Sequence, residues 1–234
     1  MGKGWKNPHK VATAAKKGAL FTKLAREVAV AARMGGPDPS YNSRLALAIE
    51  SARSQSCPKD TIERAIRKGA GLDGDASQID ETMYEGFGPY NVGILVECQT
   101  DNKNRTVTEI RNIFKKNGGS MGESGSVSWM FERVGLIEGT IAEVKDPEEE
   151  AIEVGANEVE KNDDEGYSFY GSPEDLEQLR VSLTDRGWTI QTAELSYKPK
   201  NITDLTAEQL EEVTKLLEAL DDNEDSHRIH ATIK

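Results

Sequence analysis

Cysteine is scarce in this chain: Cys57 and Cys98 are the only two, each alone in a periodic apolar stretch. With no CxxC and no histidine group nearby, that argues against a disulfide framework and against a zinc site. Histidine is rarer still relative to what catalysis would use. His9 stands alone, and His227 and His230 lie three apart on an expected strand, so they face opposite sides and are poorly placed to share a metal. No serine or cysteine is read as a nucleophile elbow, and no Gly-Lys-Ser/Thr ending makes a P-loop. The acidic clusters 148–150, 163–165 and 221–225 lack EF-hand spacing and read as helix starts and solvated loops. The expectation is a non-enzymatic protein with no catalytic residue, no metal, no cofactor and no small-molecule substrate. Long apolar runs are missing too: none approaches the roughly 20 residues of a membrane span. The opening Met1 to Lys10 is charged, without the apolar centre of a secretory signal, so a cytoplasmic location and no membrane partner are expected.

What is present is a strongly divided charge. The net charge is −12, yet residues 1–72 hold 14 Lys and Arg against 5 Asp and Glu. A basic module carried on acidic domains suits a polyanion partner. The competing reading is that the basic and acidic segments pair with each other inside the fold. At 234 residues, two or three small domains are the natural division.

Apolar spacing from Leu20 to Arg33 predicts a helix, stopped by Gly35-Gly36-Pro37. A second helix is expected over 42–55 and a third from Pro58 to about Gly69, giving a basic helical domain over 1–78 that includes an N-terminal arm and a linker. Next come a hairpin around Tyr84 to Cys98, a helix begun at Thr100 to Asn104, and a strand with Val127, Trp129 and Phe131 turned inward. Residues 135–203 follow the split βαβ order, and both of their helices open on a capping residue plus proline, at Asp146-Pro147 and Ser172-Pro173. The closing helix and strand complete a second such sheet with the middle segment. The predicted architecture is therefore α+β: an N-terminal three-helix domain, then two ferredoxin-like (split βαβ) domains, with 135–203 inserted into a discontinuous domain of 79–134 plus 204–234.

Candidate nucleic-acid contacts are Lys3, Lys6, Lys10, Lys16 and Lys17, interleaved with Trp5 and His9 in a tract of weak periodicity. The cations supply phosphate attraction and Trp5 can stack on an unpaired base. On the helices, Lys23 and Arg26 share a face, as do Arg64 and Arg67 with Lys68 beside them. Arg105 on a first helical turn opposes the dipole and hints at an anionic partner. The stretch from Gly118 to Gly125, with Gly118, Gly119, Ser120, Met121 and Gly122 at its centre, reads either as a plain connection or as a mobile loop that permits close backbone approach.

The stretches Phe21-Thr-Lys-Leu24, Pro58-Lys-Asp-Thr-Ile62, Tyr84-Glu-Gly-Phe-Gly-Pro89, Thr100-Asp-Asn-Lys-Asn-Arg-Thr106, and Gly118 to Gly125 followed by Val127 to Phe131 resemble the YebC/PmpR family. That family includes the mitochondrial translational activator of cytochrome c oxidase subunit I. The resemblance implies a helical domain plus two α+β domains, one inserted in the other. It also implies a regulator of gene expression, either a translation factor on ribosomal RNA or tRNA that relieves stalling at proline-rich stretches, or a transcriptional regulator on promoter DNA. Here Asn7-Pro8-His9-Lys10 departs from the family's usual opening, which ends in His-Arg-Lys.

Overall fold

The computed structural model describes residues 14–72, 79–144, 146–162 and 166–233, with side chains from Lys17 onward. Lys3, Trp5, Lys6, His9 and Lys10 lie outside the described residues, as does the side chain of Lys16.

Three helices come first: α1 (Ala14–Gly35), α2 (Ser43–Ser54) and α3 (Lys59–Gly69). Asn42 starts α2 by accepting the Leu45 amide, while its Nδ2 donates to the carbonyls of Ala31 and Gly36, so one side chain caps one helix and ends another. The run Val28 to Ala32 is wholly buried, and Leu45, Ile49 and Ile62 pack against it. Small residues let α1 and α3 approach closely: a Cβ on Gly69 would sit 2.1 Å from the Ala29 carbonyl oxygen.

The middle sheet has the order β3-β1-β2-β8, from β1 (Asp80–Phe87), β2 (Gly93–Thr100), β3 (Ser120–Met121) and β8 (Ser226–Ala231). Its helices are α4 (Lys103–Lys116) and α7 (Ala207–Asp221), the latter opened by a capping box at Thr206 and Gln209. The alternation in β2 predicts a half-buried strand, but Ile94, Leu95 and Val96 are all inaccessible, because both faces are covered. Gly93 on one face abuts Val127 and Met130, and Gln99 on the same face meets Glu27 of α1.

The second unit, 131–198, runs β4 (Phe131–Thr140), α5 (Pro147–Val154), β5 (Glu158–Lys161), β6 (Tyr167–Gly171), α6 (Leu176–Asp185) and β7 (Thr189–Pro199), in the sheet order β5-β6-β4-β7 of a split βαβ fold. The middle sheet keeps that spatial order with a different connection, since the strand beside its centre arrives first, as a hairpin. Trp188 caps the second core, edge-on to Phe169 and Tyr167. The helical bundle and the middle sheet together form the other compact unit. No helix among the described residues is long and apolar enough to cross a membrane.

The strand expected at 127–131 is a correction. Residues Ser128–Met130 form a 3₁₀ turn and β4 begins only at Phe131. Trp129, expected to point inward, is 66 % exposed.

Candidate nucleic-acid interface

Helix α3 carries Arg64, Arg67 and Lys68, all exposed, with the last two in its final turn, where cations complement the helix dipole. Arg64 Nε folds back on the Asp60 carbonyl at 3.1 Å, and Lys17 is exposed on α1. These positions leave their charge at the surface.

Three other cations of the expected interface are engaged inside the chain. Arg26 Nη1 bonds Asp225 Oδ1 at 2.9 Å and the carbonyls of Gln99 and Glu224, and its side chain is only 15 % exposed. Lys23 reaches the Asp221 carbonyl. Arg105 Nη2 meets both Asp225 oxygens and Asp101 Oδ1. For Lys23 and Arg26, contact between the basic and acidic segments is what the structure shows, while Arg105 pairs within the acidic part of the chain.

Asp225 is the centre of the Thr100 to Thr106 motif. Its side chain is 2 % exposed and its Oδ2 accepts from Thr106 Oγ1 at 2.7 Å and Thr100 Oγ1 at 3.2 Å. Asn102 caps α4 by accepting the Arg105 amide at 3.1 Å. Burial alone would raise the Asp225 carboxyl, but the Thr106 and Arg105 hydrogen bonds override it and hold the group below the usual carboxylate range. Sequence reasoning places Asp225 in a solvated acidic loop. Its one visible signal is the paired Thr100 and Thr106, hydroxyls flanking a helix start in search of an acceptor.

A second network joins α1 and α2 to the sheet. Arg44 forks onto both Glu27 oxygens and also meets Glu81 at 2.9 Å, while Gln99 Nε2 donates to Glu27 at 2.6 Å. Burial opposes ionisation of Glu27, yet the Arg44 hydrogen bond and the surrounding positive charge hold its pKa at about 2. His227 Nε2 lies 3.2 Å from Glu27 Oε2 but is buried without a hydrogen-bond partner. Burial first, then neighbouring Arg228, lowers its pKa from 6.5 to about 4, so it is neutral at pH 7 and Arg44 is the cation that serves Glu27. Between pH 6.5 and 4 the unfolded chain binds the His227 proton and the folded chain does not, so stability must fall as pH falls through that window. Urea melts of the full chain should show this loss, and His227→Gln should flatten it. Identical pH slopes for the two proteins would refute the assignment.

The stretch from Gly118 to Gly125, read from the sequence as mobile, is tied down in the structure. Ser120 and Met121 pair with Phe87 and Gly86, and Glu85 Oε1 accepts the Gly125 amide at 2.8 Å. Glu85 Oε2 takes the amides of Val127 and Ser128 at 2.7 and 2.8 Å. Burial would raise this carboxyl, but those amides hold it below its ordinary value. Gly119 is required by contact, since a Cβ there would lie 2.6 Å from the Phe87 carbonyl oxygen. Gly118, Gly119 and Ser120 line a shallow cleft of about 340 Å³ with Phe87 to Asn91, where Tyr90 and Asn91 both hold φ of 60°. Residues 118–122 also spell Gly-x-Ser-x-Gly, but exposed Ser120 sits on edge strand β3, while His227 and His230 lie on β8 at the opposite edge.

Two family descriptions cover the chain: "TACO1/YebC protein N-terminal domain" over residues 5–72 and "TACO1/YebC second and third domain" over 79–233. A "probable transcriptional regulatory protein" of Bdellovibrio bacteriovorus is 59 % identical over 234 residues, covering 100 % of both chains. One of the same description from Polaromonas sp. is 47 % identical over 98 % of each. The crystal structure of a conserved hypothetical protein from Aquifex aeolicus superposes with a TM-score of 0.85 at 42 % identity, covering 99 % of this chain and 96 % of that one. With both of its parts matched and the fold shared, the chain belongs to the TACO1/YebC family.

Proposed function

We propose that this protein is a non-enzymatic, nucleic-acid-binding regulator of gene expression whose partner is structured RNA on the ribosome. The observation that carries this is the set of cations left at the surface of α3. Arg64, Arg67 and Lys68 are exposed on a chain of net charge −12, while Lys23 and Arg26 are drawn into internal contacts. Groove-reading helices place their N-terminal residues against base edges. Here that end of α3 bears Asp60 and Glu63, which phosphate repels, with Lys59 lying 3.5 Å from Glu63, and Arg64, Arg67 and Lys68 come after them. Such a helix suits backbone contact with folded RNA better than readout of duplex DNA.

A second reading, promoter DNA, draws support from the relatives described as probable transcriptional regulatory proteins. Co-sedimentation with ribosomes, compared with promoter-fragment binding at the same salt, separates the two. The triple change Arg64→Glu, Arg67→Glu, Lys68→Glu should weaken ribosome association at least about tenfold and flatten its salt dependence by about two to three charges. Retained ribosome binding by the triple variant would remove α3 from the interface, and tighter promoter than ribosome binding by the wild type would favour DNA.

A further inference from the structure

Trp129 stands out among the described residues as a large aromatic side chain left in solvent on a rigid support. It is 66 % exposed, whereas Trp188 is 3 % exposed. Its backbone belongs to the 3₁₀ turn whose amides Val127 and Ser128 are held by buried Glu85, and Met130 N closes the turn on the Val127 carbonyl at 2.9 Å. The indole is fixed as well, because Nε1 donates to the Ser126 carbonyl at 3.0 Å. With that donor satisfied inside the turn, what the ring offers outward is its π surface.

A cation is placed beside it. Lys200 Nζ reaches the Trp129 carbonyl at 2.9 Å, and the Lys200 amide bonds the Met130 carbonyl at 2.9 Å, so the lysine is held to the turn that carries the ring by both its ammonium and its backbone. Lys200 is itself exposed. An exposed, oriented aromatic side chain with an ammonium on the same residue's carbonyl is the pair of groups that a nucleotide engages, base on ring and phosphate on cation. An apolar protein partner would use the ring but gain nothing from the lysine.

We propose that Trp129 and Lys200 form a stacking site for one unpaired nucleotide, separate from the cations of α3. This rests on the nucleic-acid reading above and adds a chemical class to it: a single-stranded base, not a paired one. The turn is ordered before binding, so little conformational freedom is lost when the base arrives.

The test measures the affinity of the full chain for fluorescent 12-nucleotide oligoadenylate and for an RNA duplex of equal length. Trp129→Ala should bind the single strand roughly tenfold more weakly and the duplex as tightly as wild type, since stacking needs a free base face. Trp129→Phe should retain most of the single-strand affinity and Trp129→Leu should not, which separates an aromatic requirement from apolar packing. Lys200→Gln should weaken single-strand binding a few-fold. Because the side chain is exposed, the melting temperatures should agree within about 2 °C. Unchanged single-strand affinity in Trp129→Ala would overturn the proposal, as would an equal loss on both probes. Failure of the wild type to bind either probe would instead overturn the nucleic-acid reading, and this site with it.

Discussion

Asp225→Ala should destabilise the helical and middle-sheet unit by about 3 kcal/mol, the cost of leaving the largely buried Arg26 and the buried threonine hydroxyls without their acceptor. The carboxylate is 2 % exposed and serves Arg26, Arg105, Thr100 and Thr106 at once, so no solvent can take its place. Both guanidiniums would remain, Arg26 largely buried and Arg105 at the surface. Asp225→Asn should lose less, since an amide oxygen can still accept from the threonines. Urea unfolding followed by tryptophan emission and by far-UV circular dichroism would measure both. An alanine variant within about 1 kcal/mol of wild type would show that the cluster contributes little.

Gly69→Ala is expected to act almost as strongly through packing. The new methyl would meet the Ala29 carbonyl oxygen at 2.1 Å and its Cα and carbonyl carbon at 2.8 Å, all of them backbone. Overpacking of that kind reaches about 3 kcal/mol, and the gain in helix propensity, about 1 kcal/mol, offsets only part of it. Gly18 supplies the control. It lies in α1, and a methyl group there would meet nothing within 4 Å, so Gly18→Ala should stabilise by about 0.5 to 1 kcal/mol. Thermal melts of the two variants should therefore move in opposite directions. A neutral Gly69→Ala would mean that α1 and α3 can separate without loss.

Much of this fold is legible in the sequence because its signals are local. Asn42, Asn102, Asp146 and Thr206 each cap a helix where the spacing of apolar residues says one begins. The misreadings share one cause, which is distance along the chain. Trp129 reads as inward when alternation is carried through a turn that only Glu85, more than forty residues upstream, can specify. The glycine stretch looks free for the same reason. Arg26 and Lys23 resemble surface cations because their partners, Asp225 and Asp221, lie 199 and 198 residues away. The acidic run that contains Asp225 has no periodicity to mark one of its members as buried. For the candidate interface, composition locates the basic segment, and only the packed structure distinguishes the cations exposed on α3 from Lys23 and Arg26, which contact the distant acidic segment.

The order of the chain gives the Asp225 cluster a consequence during synthesis. Strand β2, with Ile94, Leu95 and Val96 buried on both faces, emerges early, but β8, which pairs along its outer side, follows more than a hundred residues later. At about 5 to 20 residues per second, roughly 10 to 40 s separate Arg26 from Asp225. For the part of that interval between the synthesis of β2 and that of β8, β2 presents an open apolar edge, the kind of surface on which nascent chains aggregate or recruit chaperones. The unit formed by 131–198 has all its strands made before β8 and can fold first. The synthesis of β8, and not the arrival of the first helices, is thus the event that closes the helical domain onto its sheet.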